Sequence, residues 1–275
     1  MPSIAHVSPA VAGFGSSLKG WRERKGVSQL DLGLQAGVSA RHISFLETGR
    51  AGPSRSMVLK LALTLDLPLR EQNNLLLSAG FAPRYGERSL DDGEAEEARR
   101  ALQFILDVHQ PYPAFVLNRT WQIVLWNKTQ GFMLSKLHGL EGSPADLNAL
   151  DLVFAPGPMR ESLVNWEEVA RAVLRRLRRQ VSQAGPGDPL HGIWDRIQGM
   201  PGVAGLDPVK DAGQPVPILV PMRIREGDEV LTWFSTLAVF GATGDVTLEE
   251  LVIESFFPGD EASRTFVEQL AARGD

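Results

Sequence analysis

Apolar residues recur every three or four positions through roughly the first eighty residues, where β-branched side chains are sparse, and this spacing predicts helices. Phe14, Leu18 and Trp21 lie on one stripe, and Leu30, Leu32, Leu34 and Ala36 on a second helix. Val38, Ile43 and Leu46 mark a third, Val58, Leu61, Ala62 and Leu65 a fourth, and Leu75, Leu76 and Ala79 a fifth. The punctuation agrees: Ser28 and Ser39 stand where a hydroxyl caps a helix, and Gly37 where the chain turns. Gly49 and Gly52-Pro53-Ser54 mark the next stops.

A polar stretch, residues 83–93, reads as a linker between a helical domain at 14–82 and a second domain at 94–275, with a flexible N-terminus over 1–13. A helix is predicted from Glu94 to Val108. Beyond it the period shortens. Residues 114–117 and 121–126 read as a β-hairpin about a polar turn at Asn118-Arg119. Leu163–Val181 and Leu190–Gln198 return to helical spacing, and Pro217–Arg225, Glu229–Phe240 and Val246–Phe257 read as three further strands. Strands grouped with inserted helices make the second domain α+β behind an all-α first one.

Composition narrows the function. With 275 residues, 43% hydrophobic and 22% charged, the chain has the size of two domains and the make-up of a folded protein. It has no cysteine, which excludes disulfides, thiolate metal sites and a cysteine nucleophile. No apolar run approaches the roughly 20 residues of a membrane span, and Met1–Gly13 lacks the basic residues of a secretory signal, so a cytoplasmic location without membrane insertion is expected. The net charge of −5 looks unsuited to nucleic acid until it is divided. Residues 1–80 hold nine Lys and Arg against five Asp and Glu; the remainder holds 19 against 28. The positive surplus sits where the helices do.

The segment from Ser28 to Glu47 has the physics of a helix–turn–helix: two short helices whose contact is small and apolar, with Gly37 free to turn left-handed between them. The second helix of such a pair presents its N-terminal side chains to the major groove while the first crosses the backbone. Over about Phe14–Gly80 the chain resembles the phage-repressor-like, or XRE, helix–turn–helix family, through Gly15-Ser16-Ser17-Leu18-Lys19-Gly20-Trp21-Arg22, Ser28-Gln29, Ala36-Gly37-Val38-Ser39 and Ile43-Ser44-Phe45-Leu46-Glu47-Thr48-Gly49-Arg50. The resemblance implies a phosphate contact at Gln29, a recognition face of Ser39, Ala40, Arg41, Ser44 and Phe45, and phosphate contacts at Thr48, Arg50 and Arg55, all on double-stranded operator DNA. Arg41 is the best base reader, since a guanidinium holds guanine O6 and N7 together.

From Leu102 to Asn127 the chain resembles the ligand-binding domain of MmyB-like transcription regulators, through His109-Gln110-Pro111-Tyr112-Pro113-Ala114-Phe115-Val116-Leu117-Asn118-Arg119-Thr120-Trp121 and Leu125-Trp126-Asn127. Asn148–Phe154 and Trp166–Ala170 fit the same pattern. This implies a PAS-like fold, a five-stranded antiparallel sheet with flanking helices, and an apolar pocket for a fatty-acid-like molecule. Tyr112, Phe115, Trp126, Asn127, Phe132, Trp166 and Phe234 are the candidate ligand contacts. No cofactor or metal is implied, and no phosphate loop or nucleophile frame suggests an enzyme. A homodimer is expected, because one recognition helix reads too few base pairs. A constitutive repressor, whose second domain only oligomerises and whose aromatics are all core, stays open beside the sensing reading.

Overall fold

In the computed structural model of the protein, described for residues 9–90, 93–139, 142–185, 187–206, 219–239 and 244–273, the chain forms two compact units. The first is Met1–Arg88 with Ala242–Glu249; the second is Ser89–Gly241 with Glu250–Asp275.

The first unit is helical: α1 (Pro9–Arg24), α2 (Gln29–Ala36), α3 (Ala40–Glu47), α4 (Arg55–Thr64) and α5 (Leu69–Ser78). The predicted caps form. Ser28, Ser39 and Ser54 each accept a hydrogen bond from the backbone N–H three residues on. Gly37 ends α2 at φ +62°, the left-handed region that glycine enters without steric cost. Phe14, Leu18, Leu32, Ile43, Leu46, Leu61, Leu75 and Leu76 are fully or almost fully buried in one core, each contributing about 1.5–3 kcal/mol by leaving water. Helix α1 starts at Pro9, inside the stretch expected to be a flexible N-terminus; residues 1–8 lie outside the described part. Residues 83–88, expected as linker, run along α5: Asn73 Oδ1 accepts from the N–H groups of Arg84 and Tyr85, and its amide donates to Tyr85 O.

The second unit begins with α6 (Glu96–Val108) and the hairpin β1 (Ala114–Leu117) and β2 (Ile123–Trp126). Helices α7 (Lys128–His138), α8 (Ala149–Phe154), α9 (Pro158–Ser162), α10 (Trp166–Gln183) and α11 (Pro189–Gln198) follow. Strands β3 (Met222–Glu226) and β4 (Glu229–Val239) come next, then α12 (Val246–Glu249), β5 (Val252–Pro258) and α13 (Glu261–Arg273). The sheet is antiparallel throughout, in the order β2-β1-β5-β4-β3. Asn118 Oδ1 shapes the first hairpin by accepting from the N–H groups of Thr120 and Gln122 and from the Thr120 hydroxyl. Gly227, at φ +58°, turns β3 into β4.

The last predicted strand changes as well. The strand read from Val246 starts only at Val252, and Val246–Glu249 is the short helix α12, belonging to the first unit. Val246 is fully buried and its N–H bonds Gly86 O at 2.8 Å, while Glu249 accepts from the Leu69 N–H at the start of α5. Val246 is thus buried from a helix that packs on α5, and a run of Val, Leu and Ile does not tell that from a strand.

Candidate functional site

Two places can do chemistry with a partner. In the first unit, α3 is held from behind and open in front. Its last residue, Glu47, is buried and accepts from Arg22 Nε at 2.6 Å and Nη2 at 3.0 Å, and from Gln29 Nε2 at 2.7 Å. Arg22 also donates to Val27 O at 2.9 Å. One carboxylate thus ties α3 to both α1 and α2. Gly15 lets α1 come close: a Cβ there would sit 2.5 Å from Glu47 O and 2.7 Å from Leu46 O. Gly33 does the same at the turn, where a Cβ would meet Val38 O at 2.8 Å.

The outward face of α3 carries the predicted recognition residues together. Arg41 is exposed, and Ala40, Ser44 and Phe45 are half-buried beside it. The Arg41 guanidinium lies 5.1 Å from the Phe45 ring centroid and that of Arg50 6.0 Å, so the aromatic stands between two cations. Ser39 is exposed, and its oxygen caps α3 by accepting from the His42 N–H. The Thr48 hydroxyl donates to Ser44 O at 2.7 Å. Gln29 gives its side-chain amide to Glu47, but it occupies the first turn of α2, where backbone N–H groups lack intrahelical partners and suit an anion. Arg55 donates to Ala82 O at 2.6 Å.

In the second unit a cavity of about 190 Å³ opens between the sheet and the helices over it. Its wall is mostly apolar: Phe115, Trp121, Met133, Val169, Val173, Met222, Ile224, Trp233 and Phe256 among others. Its polar lining is Gln130, Arg176, Ser235 and Glu254, the last three joined through Glu254. Arg176 Nη1 lies 3.4 Å from Glu254 Oε2, and the Ser235 hydroxyl donates to Glu254 Oε1 at 2.9 Å. Burial raises the Glu254 carboxyl above its ordinary range despite the pull of Arg176 and the Ser235 bond. Burial likewise lowers the Arg176 guanidinium, against the attraction of Glu254. Arg176 also stacks over Trp121, its guanidinium carbon 4.3 Å from the ring centroid. The Trp233 indole N–H is buried and finds no hydrogen-bond partner among the described residues.

Comparison with known families places both halves. Residues 18–72 match the helix-turn-helix family. Residues 98–270, more than half of the chain, match the MmyB-like transcription regulator ligand binding domain. The chain belongs to the MmyB-like regulators. No curated protein matches the sequence.

Within the MmyB-like domain the predicted ligand contacts separate. Of the seven, Phe115 lines the cavity. Asn127 is fully buried and structural: it caps α7 by accepting from the Gln130 N–H, accepts from the Ala114 N–H, and donates to Leu106 O and Tyr112 O. Phe234 stacks on Phe257 with centroids 5.3 Å apart, and its neighbours Trp233 and Ser235 are the β4 residues at the cavity, as period-two alternation requires. Tyr112 packs near Phe257 and His109. Phe132 lines a separate cleft with Gln110, Lys128 and Leu270, Trp126 packs on Gly131, and Trp166 donates to Val153 O at 2.8 Å under the Arg160 guanidinium.

Arg176 and Glu254 escape a search for aromatics. The signal for Arg176 was its spacing: Val169, Val173 and Arg176 fall four and three apart, on the inward side of α10, while Arg178 and Arg179 are exposed. Glu254 alternates with Phe256 on β5, which puts an acid on a buried face.

Proposed function

We infer that a helix-turn-helix and an MmyB-like domain on one chain make it a ligand-responsive transcription regulator. We propose that it acts in the cytoplasm as a homodimer on an operator, with α3 in the major groove, Arg41 reading a guanine, and Gln29, Thr48, Arg50 and Arg55 near phosphates. Ser39, Ala40, Ser44 and Phe45 complete the face against the bases. The sheet order supports a PAS-like fold for the sensor, and its cavity holds a small, mostly apolar, fatty-acid-like molecule. The observation that carries this reading is the cavity itself: an apolar wall with one small polar cluster is what a largely hydrophobic ligand needs. Phe104, Ile105 and Val108 leave an exposed apolar stripe on α6, of the kind a second copy covers.

Ligand regulates only by binding one arrangement of the paired heads better than another, a coupling of about 1–3 kcal/mol. Native mass spectrometry of the full chain, followed by operator titrations with and without added long-chain alkyl compounds, tests it. A retained or bound alkyl molecule that shifts operator affinity supports the sensor. An empty domain and an unmoved affinity favour a constitutive repressor with an oligomerisation domain. In the same titrations Arg41→Ala is expected to cost about 1–3 kcal/mol at one base position. An unchanged base preference removes Arg41 as the reader.

A further inference from the structure

Helix α6 is apolar on two sides. Leu102 and Leu106 are fully buried where it packs on β1 and β2. The other side repeats the spacing into solvent: Ala101, Phe104, Ile105 and Val108 are exposed, Phe104 at 70% and Val108 at 67%. Positions i, i+3, i+4 and i+7 share one helix face, so these four make a continuous stripe. A phenylalanine left so open forgoes the stabilisation of burial, which a partner covering it recovers. The stripe is also held firm. The Asn127 amide donates to Leu106 O at 3.2 Å, and His109 Nε2 lies 3.0 Å from Phe256 O just past the helix end.

The charges beside the stripe say what covers it. At about 100° per residue, Arg100 and Asp107 fall on the same flank, the one away from Ile105. Both are exposed, and Gln103 Nε2 steadies the Asp107 carboxylate by donating to its Oδ1 at 2.9 Å. One edge of the stripe thus carries a cation near one end and an anion near the other. A two-fold axis across the stripe keeps that edge on its own side and reverses its direction, so the edge meets its own complement. With the axis beside Phe104, Arg100 of one copy stands opposite Val108 of the second copy, one residue or about 1.5 Å from Asp107. The same pair forms at the other end, Phe104 packs on Phe104, and Ala101 lies beside Val108. Glu96 and Glu97 fall beyond the end of the second helix. A parallel pair would instead set Arg100 on Arg100 and Asp107 on Asp107, which repel.

We propose that α6 pairs with α6 of a second copy of this chain, antiparallel about a two-fold axis at Phe104, with Arg100 of each copy against Asp107 of the other. This rests on the homodimer reading above and gives it a place, an orientation and a register. The 13 residues of α6 span about 20 Å, so the interface is small and the dimer reversible in the micromolar range.

Sedimentation equilibrium of the full chain from low to high micromolar concentration tests it, and a monomer–dimer equilibrium is expected. Phe104→Glu changes an exposed residue and sets two like charges at the crossing, so the dimer should weaken about a hundredfold or more. Arg100→Asp and Asp107→Arg each bring like charges together at both ends and should weaken it about tenfold, more at low salt. Carrying both substitutions restores opposite signs, and association should return to within about threefold of the unaltered chain. A chain that stays monomeric at every concentration overturns the pairing; if it also binds operator one copy at a time, the homodimer reading falls with it. A dimer that Phe104→Glu leaves intact overturns the pairing through α6 alone. A double charge variant no better than the single ones overturns the antiparallel register.

Discussion

Replacing Glu47 with alanine tests how the recognition helix is held. Arg22 is only 8% exposed and makes three hydrogen bonds, two of them to Glu47 at 2.6 and 3.0 Å and the third to Val27 O. Glu47→Ala removes the first two and leaves the buried guanidinium with one carbonyl and the exposed Glu23 carboxylate 3.7 Å away; it also takes the acceptor from Gln29. Removing one partner of a buried pair costs about 3–5 kcal/mol, because the remaining charge is poorly solvated and, with only an exposed carboxylate near it, weakly compensated. Hydrogen exchange of the full chain, read by mass spectrometry, measures it. Amides of α1, α2 and α3 that exchange through opening of this unit should lose about a hundredfold to a few thousandfold in protection. Peptides from the sheet, such as β1 and β5, serve as internal controls. The physical cause is separable from mere contact loss. Exchanging both partners for apolar residues, Arg22→Met with Glu47→Leu, removes the charge along with its partner and should restore protection to within about 1 kcal/mol of the starting protein or above it. A single variant that loses less than tenfold, or a double variant as unprotected as the single one, would refute charge compensation as what fastens α3.

Three further outcomes follow from the geometry. Asp260 accepts from the Ser263 hydroxyl at 2.6 Å and the Ser263 N–H at 2.8 Å, which holds its carboxyl below the usual range and caps α13. A depressed folded value means stabilisation present above the unfolded carboxylate value and lost as pH falls through the folded one, so Asp260→Ala should cost about 1 kcal/mol near neutrality and nothing in strong acid, by thermal melts across pH. Asn127→Ala strips partners from Leu106 O, Tyr112 O and the N–H groups of Ala114 and Gln130, and chemical denaturation should show a loss of about 3 kcal/mol or more. In Gly15→Ala the new methyl carbon starts 2.5 Å from Glu47 O, so α1 must back away from α3; a destabilisation of about 1–3 kcal/mol is expected, and operator affinity should fall with it.

The helical unit was legible because its signals are local. A cap serine, a left-handed glycine and a three-four apolar stripe each act within a few residues, and Ser28, Ser39 and Gly37 do in space what their order along the chain suggests. The two hairpins were equally local, turning at Asn118 and Gly227. The cavity was not. Its wall is assembled from β1, α7, α8, α9, α10, β3, β4 and β5, and which of two adjacent aromatics faces it depends on strand register, which only the pairing fixes. Hence Phe234 was favoured where Trp233 lines the wall. Arg176 sat among four other arginines of α10, and nothing in that run marks the one that turns inward except its phase against Val169 and Val173. Asn127 drew notice for the right physical reason, a polar residue at a strand end opening a helix. Its four side-chain bonds are all spent on backbone.

The short helix between β4 and β5 changes what counts as a module in this chain. Residues 1–88 resemble a detachable head, yet that unit also contains Val246, fully buried, whose N–H donates to Gly86 O and which arrives only after most of the sensor has been synthesised. The polypeptide therefore passes from one unit to the other three times. A cut after Arg88 separates Val246 from Gly86, its hydrogen-bond partner, and from α5. During translation the helix that packs on α5 is made only once the ribosome has passed Glu249, so the first unit receives its last element after most of the second has been synthesised.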